Sequence, residues 1–170
     1  MNLAYCLNQL SSNSAAIQRL LETVDAEQAS WKPGETDWSI LEVLNHLVDE
    51  EKEDFRSRLQ HLVSGSNEPW PPTDPEQWVT ARGYKQRAFG ESLENYVYER
   101  ECSLQWLRQL AGTEWQIRYR HAPLAGLSAG DLLASWVAHD LLHLRQLVEL
   151  KYAYGRRQFA PHAVEYAGEW

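Results

Sequence analysis

"ASWVAHDLLHLRQL" (residues 134–147) places His139 and His143 four positions apart inside a run that otherwise has the spacing of a buried helix. An α-helix turns about 100° per residue, so His143 lies about 40° round from His139 and the two rings share a stripe. On the same wheel Leu132 and Leu150 fall at about 20°, Trp136 near 60° and Leu147 near 80°. Val137, Leu141, Leu144 and Val148 carry the apolar arc on to roughly 200°, with Arg145 and Glu149 on the polar side. Two imidazoles therefore stand at the edge of an apolar face, where leucine would pack better.

The start of this helix is also legible. Ser128 and Asp131 have the spacing of a capping box, and Leu127 with Leu132 that of a hydrophobic staple. The helix is predicted from 128 to about 154, with Gly155 placed to end it. The tail "QFAPHAVEYAGEW" is rich in aromatics and is expected to lie against the rest of the chain.

Three more helices are predicted. Ser39 with Glu42, and Trp38 with Val43, repeat the box and staple, and that helix continues to about Val63, where "SGSNEPWPP" forbids continuation. The first helix covers about 2–24, with Leu3, Leu7, Leu10, Ile17, Leu20, Leu21 and Val24 at helical spacings, and ends before the turn formers of "WKPGETDW". The third covers about 91–110, with Leu93, Tyr96, Val97, Leu104, Leu107 and Leu110 on one side. Between the second and third lies a long connection, 65–90, in which Trp70 and Trp78 are candidate anchors, since a loop of that length must pack on something or serve a function. Four amphipathic helices and no convincing strand predict an all-α four-helix bundle forming a single domain over residues 1–170.

Composition narrows the function. A net charge of −8 argues against nucleic acid, whose phosphates it would repel, and "YGRRQ" is too short a basic cluster to reverse that. Two cysteines, Cys6 and Cys102, form neither a disulfide framework nor a zinc ribbon, and Cys6 sits among core residues. The N-terminus lacks the pattern of a secretory signal and no segment nears ~18 uninterrupted apolar residues, so a cytoplasmic protein away from membranes is expected.

The histidines carry the chemistry. With His46 as origin on the second helix, Val43 lies near 60°, Leu47 near 100°, Leu44 near 160° and Phe55 near 180°, so His46 also edges an apolar face. If the two edges meet, three imidazoles converge at a rim that water reaches. A lone histidine on an apolar face is ordinarily a core residue with its nitrogens satisfied. A pair one turn apart needs several partners, and a divalent cation supplies them directly. Imidazole donors suit zinc, nickel, copper or iron, and three ligands leave an open position, as catalytic sites do. Glu50, about 40° from His46, could ligate, act as a base or pair at the surface, where "DEEKED" reads as a solvated charge run. Glu53 and Ser57 lie near the same stripe. Asp140 points about 100° away from His139, which suits a second acceptor for an imidazole better than a ligand. His61, His121 and His162 read as structural or exposed.

Three stretches resemble the DinB/YfiT-like family: "DWSILEVLNHLVDEEKEDFRSRL", "HAPLAGLSAGDLLASWVAHDLLHLRQL", and the opening "LNQLSSNSAAIQRLL" with its "DAEQASWKP" continuation. That resemblance implies a four-helix bundle, often dimeric, in which His46, His139 and His143 hold a divalent metal. It implies an enzyme of one of two kinds, a transferase using a low-molecular-weight thiol cosubstrate or a metal-dependent hydrolase, acting on a small molecule. Thiol-dependent S-transfer is the leading expectation and hydrolysis the alternative. Arg56, beyond His46, could attract an acidic cosubstrate, or could be a surface arginine among acidic neighbours. A rival of another class is a noncatalytic module that binds a metal or small ligand. A homodimer face is expected on Val137, Leu141, Leu144 and Val148, which core packing would explain equally well.

Overall fold

The computed structural model describes residues 1–168, so the last two residues of the predicted tail lie outside the described residues. Helix α1 spans Leu3–Leu21, and Asn2 caps it by accepting from the Tyr5 amide. A short helix α2, Ala26–Ser30, follows in a stretch for which no helix is predicted. Asp25 accounts for it by accepting from the Gln28 amide. Helix α3, Ile40–Asp49, begins at the capping box: the Ser39 N–H donates to Glu42 Oε2 at 2.8 Å and the Glu42 N–H to Ser39 Oγ at 3.2 Å. It runs on through a π-helical segment, Glu50–Arg56, into α4, Ser57–Val63. Helix α5 is Pro75–Ala81, α6 is Phe89–Leu107, and α7 is Ala129–Phe159. The second box also forms, with Asp131 Oδ2 accepting from the Ser128 N–H and Ser128 Oγ from the Asp131 N–H.

Helices α1 and α3 each pack on both α6 and α7. The order round the bundle is therefore α1, α7, α3, α6. The core has two apolar clusters. One joins Leu10, Phe55, Leu59, Leu104, Leu107, Leu133 and Trp136, and the other joins Ile17, Leu21, Val43, Leu44, Leu47, Tyr96 and Leu147. Both staples hold: Leu127 packs on the cluster containing Leu132, and Trp38 on that containing Val43. Among the described residues the sole β-type pairing is an isolated bridge between Arg118 and Ser128.

The clusters are stitched by one buried polar group. Arg100, on α6, donates through Nε and Nη2 to Glu51 at 2.9 and 2.7 Å, and through Nη1 and Nη2 to Asp140 at 2.6 and 2.7 Å. Its remaining N–H reaches the Leu10 carbonyl at 3.0 Å, so all five guanidinium donors are used. Trp136 Nε1 donates to Glu51 at 2.9 Å. Charge-assisted bonds thus connect α1, the π-helical segment, α6 and α7, which is how two carboxylates tolerate burial.

Several expectations are corrected. Helix α7 passes through Gly155 and ends at Phe159, before Pro161, because one helical glycine costs only ~1 kcal/mol relative to alanine. The tail from 160 to 168 is largely exposed instead of covering the bundle. The "DEEKED" run is not a solvated face: Glu50 is 5 % exposed and Glu51 2 %, with Asp49 and Asp54 also buried. The apolar arc of α7 is narrower than the wheel suggests, since Leu141 is 50 % exposed, while Val137 and Leu144 pack partly on the core. The connection before α6 is not bare loop. It contains α5, and Trp70 anchors it by stacking on Tyr119 with ring centroids 3.7 Å apart. Trp78 is half-buried, with the Arg82 guanidinium 3.9 Å from its ring centroid.

Candidate metal centre

Helix α3 carries His46, and α7 carries His139 and His143, on facing edges. His46 Nε2 lies 3.1 Å from His143 Nε2, which lies 3.1 Å from His139 Nε2. All three ligand atoms fall within 4.8 Å of one another. A tetrahedral ion bound at ~2.0–2.1 Å from each nitrogen would hold such atoms about 3.3 Å apart, so the donor set has the dimensions of a zinc-type site. His46 is buried and the other two rings are half-buried, which leaves the cluster at a rim.

Burial keeps these imidazoles neutral. It pushes His46 down to about 3, reinforced by His143, and His139 down to about 3, reinforced by His143 and His46. His143 is also lowered by burial, against an opposing pull from its bond to Gln146 and from Asp140. A neutral ring offers a lone pair, which is the form that ligates.

Orientation comes from neighbours. His143 Nδ1 lies 2.8 Å from Gln146 Oε1. An amide oxygen only accepts, so Nδ1 carries the proton and Nε2 presents its lone pair to the cluster. Trp38 meets His46 edge-on with centroids 5.0 Å apart, and Phe55 lies 5.0 Å from His139. His46 Nδ1 is buried without a hydrogen-bond partner among the described residues.

The other candidates divide. Glu50 follows His46 by one turn, and its amide donates to the His46 carbonyl. Its Oε1 is buried without a hydrogen-bond partner among the described residues, and burial, then the Asp54 charge beside it, pushes its carboxyl up to about 8. It lies outside the trio of convergent nitrogens. Arg56 points to α6, where it is bonded to the Glu99 carboxylate and carbonyl and to Ser103 Oγ. Asp140 receives Arg100 and no histidine. His61 and His121 bond backbone carbonyls of Glu68 and Asn67, and His162 is exposed. Gln146 went unread in the sequence, although it stands three positions after His143 on the same face. Trp38 serves both the staple and the His46 ring, and its spacing signals only the first.

Known proteins give the same architecture. The chain is 22% identical over 145 residues to a protein of Oceanobacillus iheyensis named "Putative metal-dependent hydrolase OB0782", covering 85% of this chain and 83% of that one. The solved structure of YfiT from Bacillus subtilis, described as "a probable metal-dependent hydrolase with an unusual four-helix bundle topology", superposes with a TM-score of 0.78 at 18% identity. That superposition covers 90% of this chain and 87% of YfiT. The family model of the DinB superfamily matches residues 9–147, a span that takes in α3, the capped first part of α7 and all three convergent histidines. The chain belongs to the DinB superfamily.

Proposed function

We propose that the protein is a metal-dependent enzyme in which His46, His139 and His143 hold one divalent cation through Nε2, and that its reaction is hydrolysis of a small molecule. The observation that carries this reading is the pair of 3.1 Å separations among three neutral imidazole nitrogens. Two relatives named as metal-dependent hydrolases support the choice of reaction. Zinc, nickel and iron all suit the donors. Such a cation supplies a Lewis acid and a nucleophile at neutral pH.

The chain's own residues do the rest. Burial keeps the three rings deprotonated, so they bind without first releasing protons. Gln146 holds His143 in the ligating tautomer, and Trp38 and Phe55 shield the ligand rings from water. Glu50, raised to about 8, carries a proton near neutrality and is the group we assign to proton transfer at the site.

Thiol-dependent S-transfer is the alternative, since a thiolate suits the same open position on a soft-to-borderline cation. The test has two stages. Metal analysis of purified protein is expected to give one equivalent in the wild type and none in a folded His139→Ala variant. The loaded protein is then offered ester and amide substrates in one arm and thiols with small electrophiles in the other. Turnover confined to the second arm replaces hydrolysis by S-transfer. A wild type that retains no zinc, nickel or iron after reconstitution overturns the reading and leaves a noncatalytic helical module.

A further inference from the structure

A second cavity lies away from the histidines, between the start of α4 and two loops. It encloses about 460 Å³, within the range of small-molecule sites, and Arg58, Trp70, Pro71, Pro72, Tyr119 and Leu124 line it. Arg58 is twelve residues after His46 along the continuous helix, roughly 15–18 Å at helical rise, so the cavity is separate from the imidazole cluster.

Its walls are largely flat and apolar, and three of the side chains around it, Arg58, Trp70 and Tyr119, carry N–H or O–H donors. The Trp70–Tyr119 stack forms one wall, and the prolines contribute no N–H groups. Arg58 is 15 % exposed, lies 5.1 Å from the Trp70 ring centroid, and donates through Nη2 to Thr73 Oγ1 at 2.6 Å. Its Nε is 2.6 Å from Asp54 Oδ1, which balances the charge, but Nη1 has no acceptor among the described residues. Trp70 Nε1 is buried without a hydrogen-bond partner among the described residues. Tyr119 accepts the Trp70 backbone N–H at 2.8 Å, and its own hydroxyl proton has no acceptor among the described residues. Beside the cavity, Arg120 adds a positive charge in a chain whose net charge is −8.

We infer that this cavity binds a small organic anion, a carboxylate carried on a flat apolar body. The carboxylate meets Nη1 of Arg58, and the flat body lies against the Trp70–Tyr119 stack and the prolines. Donors without acceptors favour an acceptor-only group, because a buried polar atom left unpaired costs about 1–3 kcal/mol. Arg56, the arginine the sequence suggested for an acidic ligand, is already held by Glu99. The inference does not depend on the histidines binding metal.

Benzoate is the probe, and benzyl alcohol its neutral counterpart, titrated into the full-length protein at constant ionic strength. The readout is the indole N–H resonance of Trp70, identified by its loss in Trp70→Phe. Benzoate is expected to shift that resonance saturably, and benzyl alcohol to leave it in place. Arg58→Met is expected to weaken binding at least tenfold, the scale of one bond to a charged group. Because that variant strands Asp54, Arg58→Lys and Tyr119→Phe are the safeguards. Lysine keeps the charge and loses the fork, the phenylalanine keeps the ring, and each is expected to weaken benzoate severalfold in a folded protein. His139→Ala should bind benzoate as the wild type does. Three results would overturn the inference: equal shifts with benzyl alcohol, shifts reproduced by sodium chloride alone, or a benzoate midpoint unchanged in both Arg58→Lys and Tyr119→Phe.

Discussion

Asp140 receives two nitrogens of Arg100, at 2.6 and 2.7 Å, on the residue that directly follows His139. The same guanidinium holds Glu51 from the π-helical segment. One buried ion cluster therefore fixes the backbone of α7 beside the histidine cluster and ties it to the chain that carries His46.

Breaking that cluster from one side leaves a charge buried without its partner. Arg100→Met and Asp140→Ala are each expected to destabilise the protein by about 3–5 kcal/mol in denaturant titrations. The exposed pair Arg145–Glu149, on the same helix, is the internal control and should change stability by less than about 1 kcal/mol when Glu149 is replaced by alanine. Equal effects at the two places would show that Arg100 is not a structural centre.

Gln146 is expected to act on the metal without touching it. Gln146→Leu frees His143 Nδ1 from its acceptor, so the ligating tautomer is no longer enforced. Zinc affinity should fall about 10–100-fold in competition titrations, while the fold, followed by circular dichroism, stays intact. Undiminished affinity would remove Gln146 from the centre.

The histidines predict how metal-free stability depends on acid. Their folded values lie below the usual 6.5, at about 3 for His46 and His139. The unfolded chain therefore takes up protons first, and the stability present above 6.5 is lost as pH falls from there toward 3. Thermal unfolding of metal-free protein across that window should show this slope, and His46→Asn should flatten it. A variant as acid-sensitive as the wild type would contradict the buried, neutral assignment.

Glu50 gives the opposite sign. Its carboxyl is raised from 4.5 to about 8, so the folded state keeps a proton that the unfolded state releases. Its contribution is fully present below 4.5 and is lost as pH climbs through 8. Glu50→Gln, which cannot ionise, should be more stable than the wild type near pH 8 in the metal-free state. The difference should vanish near pH 4. Identical melting temperatures at the higher pH would place Glu50 in an ordinary aqueous environment.

Much of this molecule is written in local chemistry, and that part was readable. Ser39 and Ser128 mark their helices because a cap is decided within four residues, and both boxes form. Wheel arithmetic set His46 and the His139–His143 pair on facing edges because each helix is regular up to those positions. It failed where regularity stops. The π-helical segment has no signature in "EEKEDFR", and within it and just beyond it the wheel sends Glu53 and Ser57 to the histidine edge, whereas both are exposed. The burial of Glu51 depends on Arg100, 49 positions away, and no local pattern reports such a partner. Gly155 misled for a related reason: a propensity of ~1 kcal/mol is easily overridden by neighbours in a 31-residue helix. The engagement of Arg56 by Glu99 likewise required knowing which helix lies opposite.

The widened turn at Glu50–Arg56 works as a reading-frame shift written into a helix. Seven residues at the wider turn advance the chain by about the angle that six would in an α-helix, so the segment absorbs one extra residue and leaves the faces on either side in register. Winding all seven as ordinary α-helix would swing everything downstream by roughly 100°. Leu59 and Leu62 would rotate out of the core, and Arg58 would turn away from Trp70, while His46, upstream, would keep its place. Loss of one residue from this heptapeptide, which ordinary winding can take up, should therefore be milder than gain of one.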